Sequence, residues 1–387
     1  MYNNIFLLAF NPTNGICNES FFENTITLYP TNETGNIYFS NKIVDISSKK
    51  VLNEYKSFIY NTTKKIVDKN RNSKFILYND KKRITDLCSN MLHLNIIQGN
   101  STNIISNLNN KFYVREYLRN DVPMLNYIYF DKEHTISYHE ICKIIKNNIF
   151  VAQTQNGAGG NGTEIITSKD EFDRYLTLNN NFSISRYFEH IPINITLVIG
   201  NNSILFFPIS FQIIEKSNNI IKYIGGDFYS SKFLDKQVHD KIKFYSNKIA
   251  LKMQKIGYRG IAGIDFIITN NEVYFLEINP RYQASSFIIS RELEKTNNCN
   301  LALLHYQAIT AQDFQHIDLA SINYSFLNCN EKRDFTDQAI DYETETITNG
   351  YFNKDTNSIY RKIYNGPIFN KLNCDIMGKN YYENLFS

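Results

Sequence analysis

The chain has 387 residues, of which 43% are hydrophobic and 20% charged, with a formal net charge of +3. That length exceeds what one hydrophobic core usually organises, and the composition is that of a globular protein rather than a disordered chain. The small, dispersed charge lacks the clustered basic footprint that nucleic acid requires, and the cysteines lack the C-x-x-C spacing of a zinc knuckle or a disulfide framework.

Met1 to Phe10 carries an apolar run without a basic n-region or a cleavage site, so no secretory signal is expected and the thiols read as those of a reduced, cytoplasmic protein. Ile5 to Phe10 and Phe75 to Tyr78 read as strands, with helix-length segments such as Val51 to Val67 between them. This alternation predicts an open α/β layer, a Rossmann-like unit over residues 1–105 without a glycine fingerprint. Lys111 to Arg119 reads as a helix, Leu125 to Phe130 as a strand and residues 137–148 as a helix. Next come a strand over Ile149 to Thr154, a glycine cluster (Gly157, Gly159, Gly160, Gly162) and a strand over Thr163 to Thr167. Ser168 with Glu171 forms a capping box that starts a helix at Lys169. Strands are expected over Phe182 to Phe188, Ile193 to Ile199 and Ile204 to Ile214. Pro192, Gly200 and Pro208 break the uncharged stretch from Ile191 to Ile214, so it is not a membrane span. Spacings of three and four from Val238 to Ile256 predict a helix closed by Gly257.

Gly260 to Arg281 reads as a β-hairpin about Asn270-Asn271. Pairing Thr269 with Val273 across a three-residue loop sets Ile264, Phe266 and Ile268 with Ile278, Leu276 and Tyr274 on one face. On the other face Asp265 stands opposite Glu277, with Asn279 two residues on. Two carboxylates directly opposite repel unless a cation lies between them, and three oxygen-bearing side chains suit a hard cation such as Mg²⁺. An edge hairpin with solvated polar residues is the alternative.

Together these strands, G-x-D-F then E-I-N-P-R, resemble the signature of the ATP-grasp superfamily. The resemblance implies that Asp265, Glu277 and Asn279 carry magnesium on nucleotide phosphates, and that Arg281 stands near an acyl phosphate, a structural salt bridge being its other reading. Gly157, Gly159, Gly160 and Gly162, between two strands, resemble the family's lid over the triphosphate, with residues 153–163 as the loop. The family's lysine before that lid is replaced here by Gln153, and Lys111, which is similar to another family lysine, is the candidate cation. Further likeness puts the adenine hinge at Arg186, Tyr187 and Phe188, the ribose contact at Asn194 or Glu189, and Gln212 at a position that often faces substrate.

The implied architecture is α/β and α+β, multidomain: a Rossmann-like pre-grasp domain (1–105), an ATP-grasp domain (106–315) with its metal hairpin at 260–281, and a small β-rich C-terminal domain (316–387). The implied chemistry uses ATP and Mg²⁺ to activate a carboxylate as an acyl phosphate, joins it to an amine and releases ADP and phosphate. Transfer to a carrier-protein thiol and a nucleotide binder without turnover are the alternatives. Expected partners are a small-molecule carboxylate and amine, with no nucleic acid and no membrane; a homodimer stays open.

Overall fold

The computed structural model describes residues 4–8, 24–26, 61, 63–77, 100–131, 136–157, 159–179, 181–217, 220–314, 317, 319–332, 346–347, 358–369, 372 and 375–379. Ile5–Leu8 (β1), Asn24–Ile26 (β2) and Lys74–Leu77 (β3) form a parallel sheet in the order β2-β1-β3. Phe75, Ile76 and Leu77 are all buried, the unbroken apolar run expected of a parallel strand covered on both faces. The helix expected over Val51 to Val67 lies outside the described residues except near its end, where 63–69 are helical.

Thr102–Asn109 (α1) and Lys111–Leu118 (α2) follow, and the Asn110 side chain caps α2 by accepting from the N–H groups of Phe112 and Tyr113. Then come Ile128–Phe130 (β4), Tyr138–Ile145 (α3), Phe150–Thr154 (β5), Thr163–Ile166 (β6), Lys169–Leu178 (α4) and Phe182–Arg186 (β7). Ser168 caps α4 as expected, and the Glu171 carboxylate reaches back to the N–H groups of both Thr167 and Ser168. Phe150, Ile166, Phe172, Tyr175 and Phe182 bury together as the core of this lobe.

Ile191–Ile199 (β8), Ile204–Phe206 (β9), Ser210–Ser217 (β10) and Ile220–Asp227 (β11) precede the long helix Lys236–Lys255 (α5). The single strand expected over Ile204 to Ile214 is thus two, interrupted at Pro208, which has no N–H to give a ladder. Gly260–Thr269 (β12), Glu272–Asn279 (β13), Ser286–Asn297 (α6), Leu301–Ile309 (α7), Tyr324–Lys332 (β14), Thr346–Ile347 (β15) and Ser358–Asn365 (β16) complete the described elements.

The larger sheet has 13 strands, running β13-β12-β8-β10-β11-β6-β5-β7-β4, with β9 on β8 and the C-terminal strands attached through β14 to β11. One edge of β11 is shared: Ile220 pairs with Glu164 of β6, while Gly225 to Asp227 pair with β14. The C-terminal β-rich segment is therefore built onto the main sheet. Val238, Ile242, Ile249 and Met253 of α5 pack on Ile264, Phe266, Ile268, Val273, Phe275 and Ile278 of the hairpin. Each such burial contributes about 1.5–3 kcal/mol, enough to fix which hairpin face looks inward. All nine residues of β8 are buried, and two of them, Asn194 and Thr196, are polar. Buried polar side chains inside a central strand need partners, and theirs lie in the site. Among the described residues, Cys142 and Cys299 are free thiols and no helix is long and apolar enough to cross a membrane.

Candidate functional site

Asn270 and Asn271 both have positive φ, 48° and 59°, which makes the hairpin connection a two-residue turn closed by Thr269 opposite Glu272. The expected three-residue loop is corrected accordingly, since asparagine tolerates the left-handed conformation that this tighter turn needs. A bulge compensates: Asp265 pairs with Glu277 but Phe266 with Phe275, so Leu276 is the extra residue. Phe275 and Val273, rather than Leu276 and Tyr274, thus face the core beside Phe266 and Ile268. Asp265 opposite Glu277 survives the change.

Asp265 is 6% exposed and ringed by amides. Its Oδ1 accepts from Asn194 Nδ2 and its Oδ2 from Asn279 Nδ2 at 2.9 Å, and Gln212 also donates to it. Burial pushes its carboxyl up, the nearby charge of Glu277 adds to this, and the amide donors oppose it. Glu277 goes the other way. Burial acts to raise it, but the Lys111 ammonium and the Arg115 guanidinium prevail and hold it below the usual carboxylate range. Lys111 Nζ lies 2.8 Å from Glu277 Oε2 and donates to the Gly157 carbonyl at 3.0 Å, so one buried ammonium ties the hairpin to the glycine loop.

That loop joins two antiparallel strands, β5 and β6, with Gln153 opposite Thr163. Gly160 has φ of +93°, and a Cβ there would lie 2.2 Å from the Ile221 carbonyl oxygen, so the loop rests directly on the β11 backbone. Gly162 is needed for its own turn, since a Cβ would strike Thr154 Oγ1.

Loop and hairpin enclose a cavity of about 310 Å³, lined by Lys111, Gln153, Gly157, Gly159, Gly160, Asn194, Gln212, Asp265, Glu277, Asn279 and Arg281 among others. Gly162, Arg186, Tyr187, Phe188 and Glu189 are not on its wall. The groups expected of a base-reading hinge are engaged elsewhere: Tyr187 N–H donates to the Ile149 carbonyl, and the Phe188 carbonyl meets His190 Nδ1 at 2.8 Å. Glu189 accepts from the Tyr187 hydroxyl and the Gly378 N–H. Asn194, read from the sequence as a ribose contact, is opposite Asp265 in the β8–β12 register and serves that carboxylate instead.

Two carboxylates facing each other under three amide donors fit a hard divalent cation, although among the described residues no three His, Cys, Asp or Glu side chains cluster as a metal site. The third candidate is the Asn279 amide. As placed, it turns Nδ2 to Asp265 and lends Oδ1 to Arg281 Nη2 at 3.2 Å, so it can add an oxygen only by turning over and releasing Arg281. Among the described residues Arg281 has no carboxylate partner: its other contact is the Tyr282 carbonyl at 3.0 Å. The salt-bridge reading of Arg281 thus has no support there.

Sequence reasoning missed Arg115, which hydrogen-bonds Gln153 from beneath, and Gln283, whose side chain packs flat on Gly263. A Cβ on Gly263 would lie 1.8 Å from Gln283 Oε1. The signal for Arg115 was its place one turn after Lys111, on the same face as Val114 and Leu118.

Residues 108–285 match the family model of the ATP-grasp domain. The whole chain is similar in fold to N5-carboxyaminoimidazole synthetase from Staphylococcus aureus complexed with ADP, at 18% identity and a TM-score of 0.61, covering 98% of this chain and 96% of that one. It is similar also to the biotin carboxylase domain dimer of 2-oxoglutarate carboxylase from Hydrogenobacter thermophilus, in complex with MgADP, ADP and bicarbonate, at 13% identity and a TM-score of 0.68, covering 96% and 90%. Biotin carboxylase from Campylobacter jejuni, as its β-γ-ATP complex, matches at 10% identity and a TM-score of 0.68, covering 99% and 95%.

Proposed function

Because residues 108–285 are an ATP-grasp domain, we propose that the chain is an ADP-forming ligase that activates a carboxylate and joins it to an amine. The observation that carries the reading is one cavity wall bearing Asp265, Glu277, Lys111 and Arg281 beneath a glycine loop. Asp265 and Glu277 would hold Mg²⁺, which when bound neutralises charge on the transferring phosphoryl group.

The remaining groups follow from the chain itself. Lys111, already bound to the loop carbonyl of Gly157, is placed to meet nucleotide phosphate as the loop closes. Arg281 supplies the positive charge that an incoming carboxylate lacks elsewhere on the wall, where the other cation, Lys111, is paired with Glu277. A carboxylate oxygen attacks the γ-phosphorus, the bond to the β-phosphate oxygen breaks and ADP leaves. The amine then attacks the acyl carbon, phosphate departs with the C–O electron pair, and the amine proton passes to solvent. No protein nucleophile takes part, so Cys142 and Cys299, the free thiols among the described residues, need no role.

Substrate-dependent ADP release across a panel of amino acids and other carboxylates tests this, with hydroxylamine present to trap an acyl phosphate as a hydroxamate. ADP and hydroxamate appearing together are expected. Release of AMP and pyrophosphate would replace the mechanism by an adenylating one. ADP release that depends on bicarbonate alone would move the reaction to carboxylation, as the names of the similar structures suggest for those proteins.

A further inference from the structure

Arg115 lies behind the cavity, not on it. It is 2% exposed, one helical turn beyond Lys111 on α2, and a guanidinium taken that far from water must be held by well-placed partners. Among the described residues those partners are neutral. Nη1 donates to Ser183 Oγ at 3.1 Å, Nε donates to the Leu276 carbonyl at 3.4 Å, and Nη2 donates to Gln153 Oε1. The guanidinium also lies 3.6 Å over the Tyr127 ring. Leu276 is the bulged residue beside Glu277, so a single side chain ties the irregular point of the metal hairpin to the strand that leads into the glycine loop.

No carboxylate meets this charge in direct contact among the described residues; Glu277, whose carboxyl it helps to hold down, is paired with Lys111. By direct hydrogen bond the charge is passed to Gln153, which does line the cavity. An amide has an acceptor end and a donor end. Arg115 takes the acceptor end, and Gln153 Nε2 gives one N–H to Thr163 Oγ1 at 3.1 Å. Its second N–H is thereby left for a ligand oxygen, on a donor strengthened by the cation behind it.

We propose that Arg115 is a positioning residue for nucleotide phosphate: its buried charge, relayed through the Gln153 amide, stands in for an ammonium at position 153. The proposal rests on the nucleotide site described above. It makes positions 115 and 153 one unit, so that a lysine at 153 and an arginine at 115 exclude each other.

The test is calorimetric titration of the full chain with Mg-ADP, alongside thermal unfolding. Gln153→Lys sets an ammonium against the guanidinium and Arg115→Met leaves the amide unpolarised; each is expected to weaken binding about tenfold, the difference between a charge-assisted and a neutral hydrogen bond. The double variant Arg115→Met/Gln153→Lys is expected to return to within about threefold of the parent. Gln153→Glu, which pairs with Arg115 directly, is expected to raise Tm while weakening Mg-ADP about tenfold or more, and Gln153→Lys is the variant in which a merely structural Arg115 would leave binding intact. Gln153→Lys binding as tightly as the parent, or a folded double variant no better than either single one, would overturn the proposal. Should Arg115→Met not fold, Gln153→Lys and Gln153→Glu decide the matter between them. A parent chain that binds no Mg-ADP would remove the nucleotide reading itself, whereas failure of the swap in a chain that does bind removes only the role of Arg115.

Discussion

Replacing Lys111 by methionine should move two affinities in opposite directions. Lys111 Nζ lies 2.8 Å from Glu277 Oε2, the oxygen that a divalent cation would take. At that separation the attraction is about 1.5 kcal/mol even at the dielectric constant of water and larger in the protein. A bare cation must displace the ammonium before it can occupy the carboxylate, so in Lys111→Met it should bind roughly tenfold more tightly. A nucleotide phosphate instead loses a charged donor, normally about 1.5–3 kcal/mol, so ADP at saturating magnesium should bind about 10- to 150-fold more weakly. Both are measured by titration calorimetry, at pH 8 so that Glu277 stays ionised after losing the cation that chiefly lowers its carboxyl. Affinities that fall together, or rise together, would refute the assignment of Lys111 as a shared partner of Glu277 and phosphate.

Glu277→Gln should leave the circular-dichroism spectrum near that of the parent and lower Tm, because the buried Lys111 loses its ion-pair partner, while turnover falls about 100-fold or more, beyond the effect typical of groups that only support a metal ligand; near-normal ADP release would sink the metal hairpin. Gly160→Ala should displace the loop from β11, because its Cβ would meet the Ile221 carbonyl at 2.2 Å and φ is +93°. Mg-ADP affinity should drop while the global unfolding midpoint changes by no more than about 1–3 kcal/mol in free energy. His305 accepts the Ile261 N–H on Nδ1 at 3.0 Å and is pushed down to about 4 by burial. The unfolded chain therefore binds this proton first: stability is full above about pH 6.5 and some 3 kcal/mol is lost as pH falls through 4. His305→Gln, which keeps an acceptor, should flatten the urea midpoint between pH 7 and pH 4.5; an unchanged slope would exclude His305 as its source.

The carboxylate pair was legible because strand alternation constrains only the sum of the paired positions. A three-residue loop with a regular ladder, or a two-residue turn with one bulged residue, sets Asp265 against Glu277 equally well. Which of the two forms was not legible from alternation; it follows from the left-handed conformations of Asn270 and Asn271. The glycine loop was legible from its flanking strands. Asn194 was found as a residue of interest, but its partner depends on the β8–β12 register, a pairing 71 residues apart that local pattern does not encode. Arg115 was hidden for a different reason: an arginine in a helix reads as a solvated face, and only its packing against β13 and β5 shows that the stripe formed by Lys111, Val114, Arg115 and Leu118 is buried. At the N-terminus the apolar runs gave β1 and β3, whereas Asn24–Ile26 is too short and too polar to announce itself as β2.

Gly263 and Gln283 occupy one volume between them. Gly263 is ordinary extended backbone, so glycine is held there by space alone, and that space belongs to the side chain of Gln283 on the cavity wall. The two positions are therefore not independent variables when a library is built on this scaffold: diversity at 283 is confined to side chains that lie flat on a bare strand, and any methyl admitted at 263 must be matched by a shorter or displaced side chain at 283. Screening the two sites separately would return at 263 only those variants for which the tip of Gln283 can swing aside, while screening them jointly opens a route to reshaping that end of the cavity.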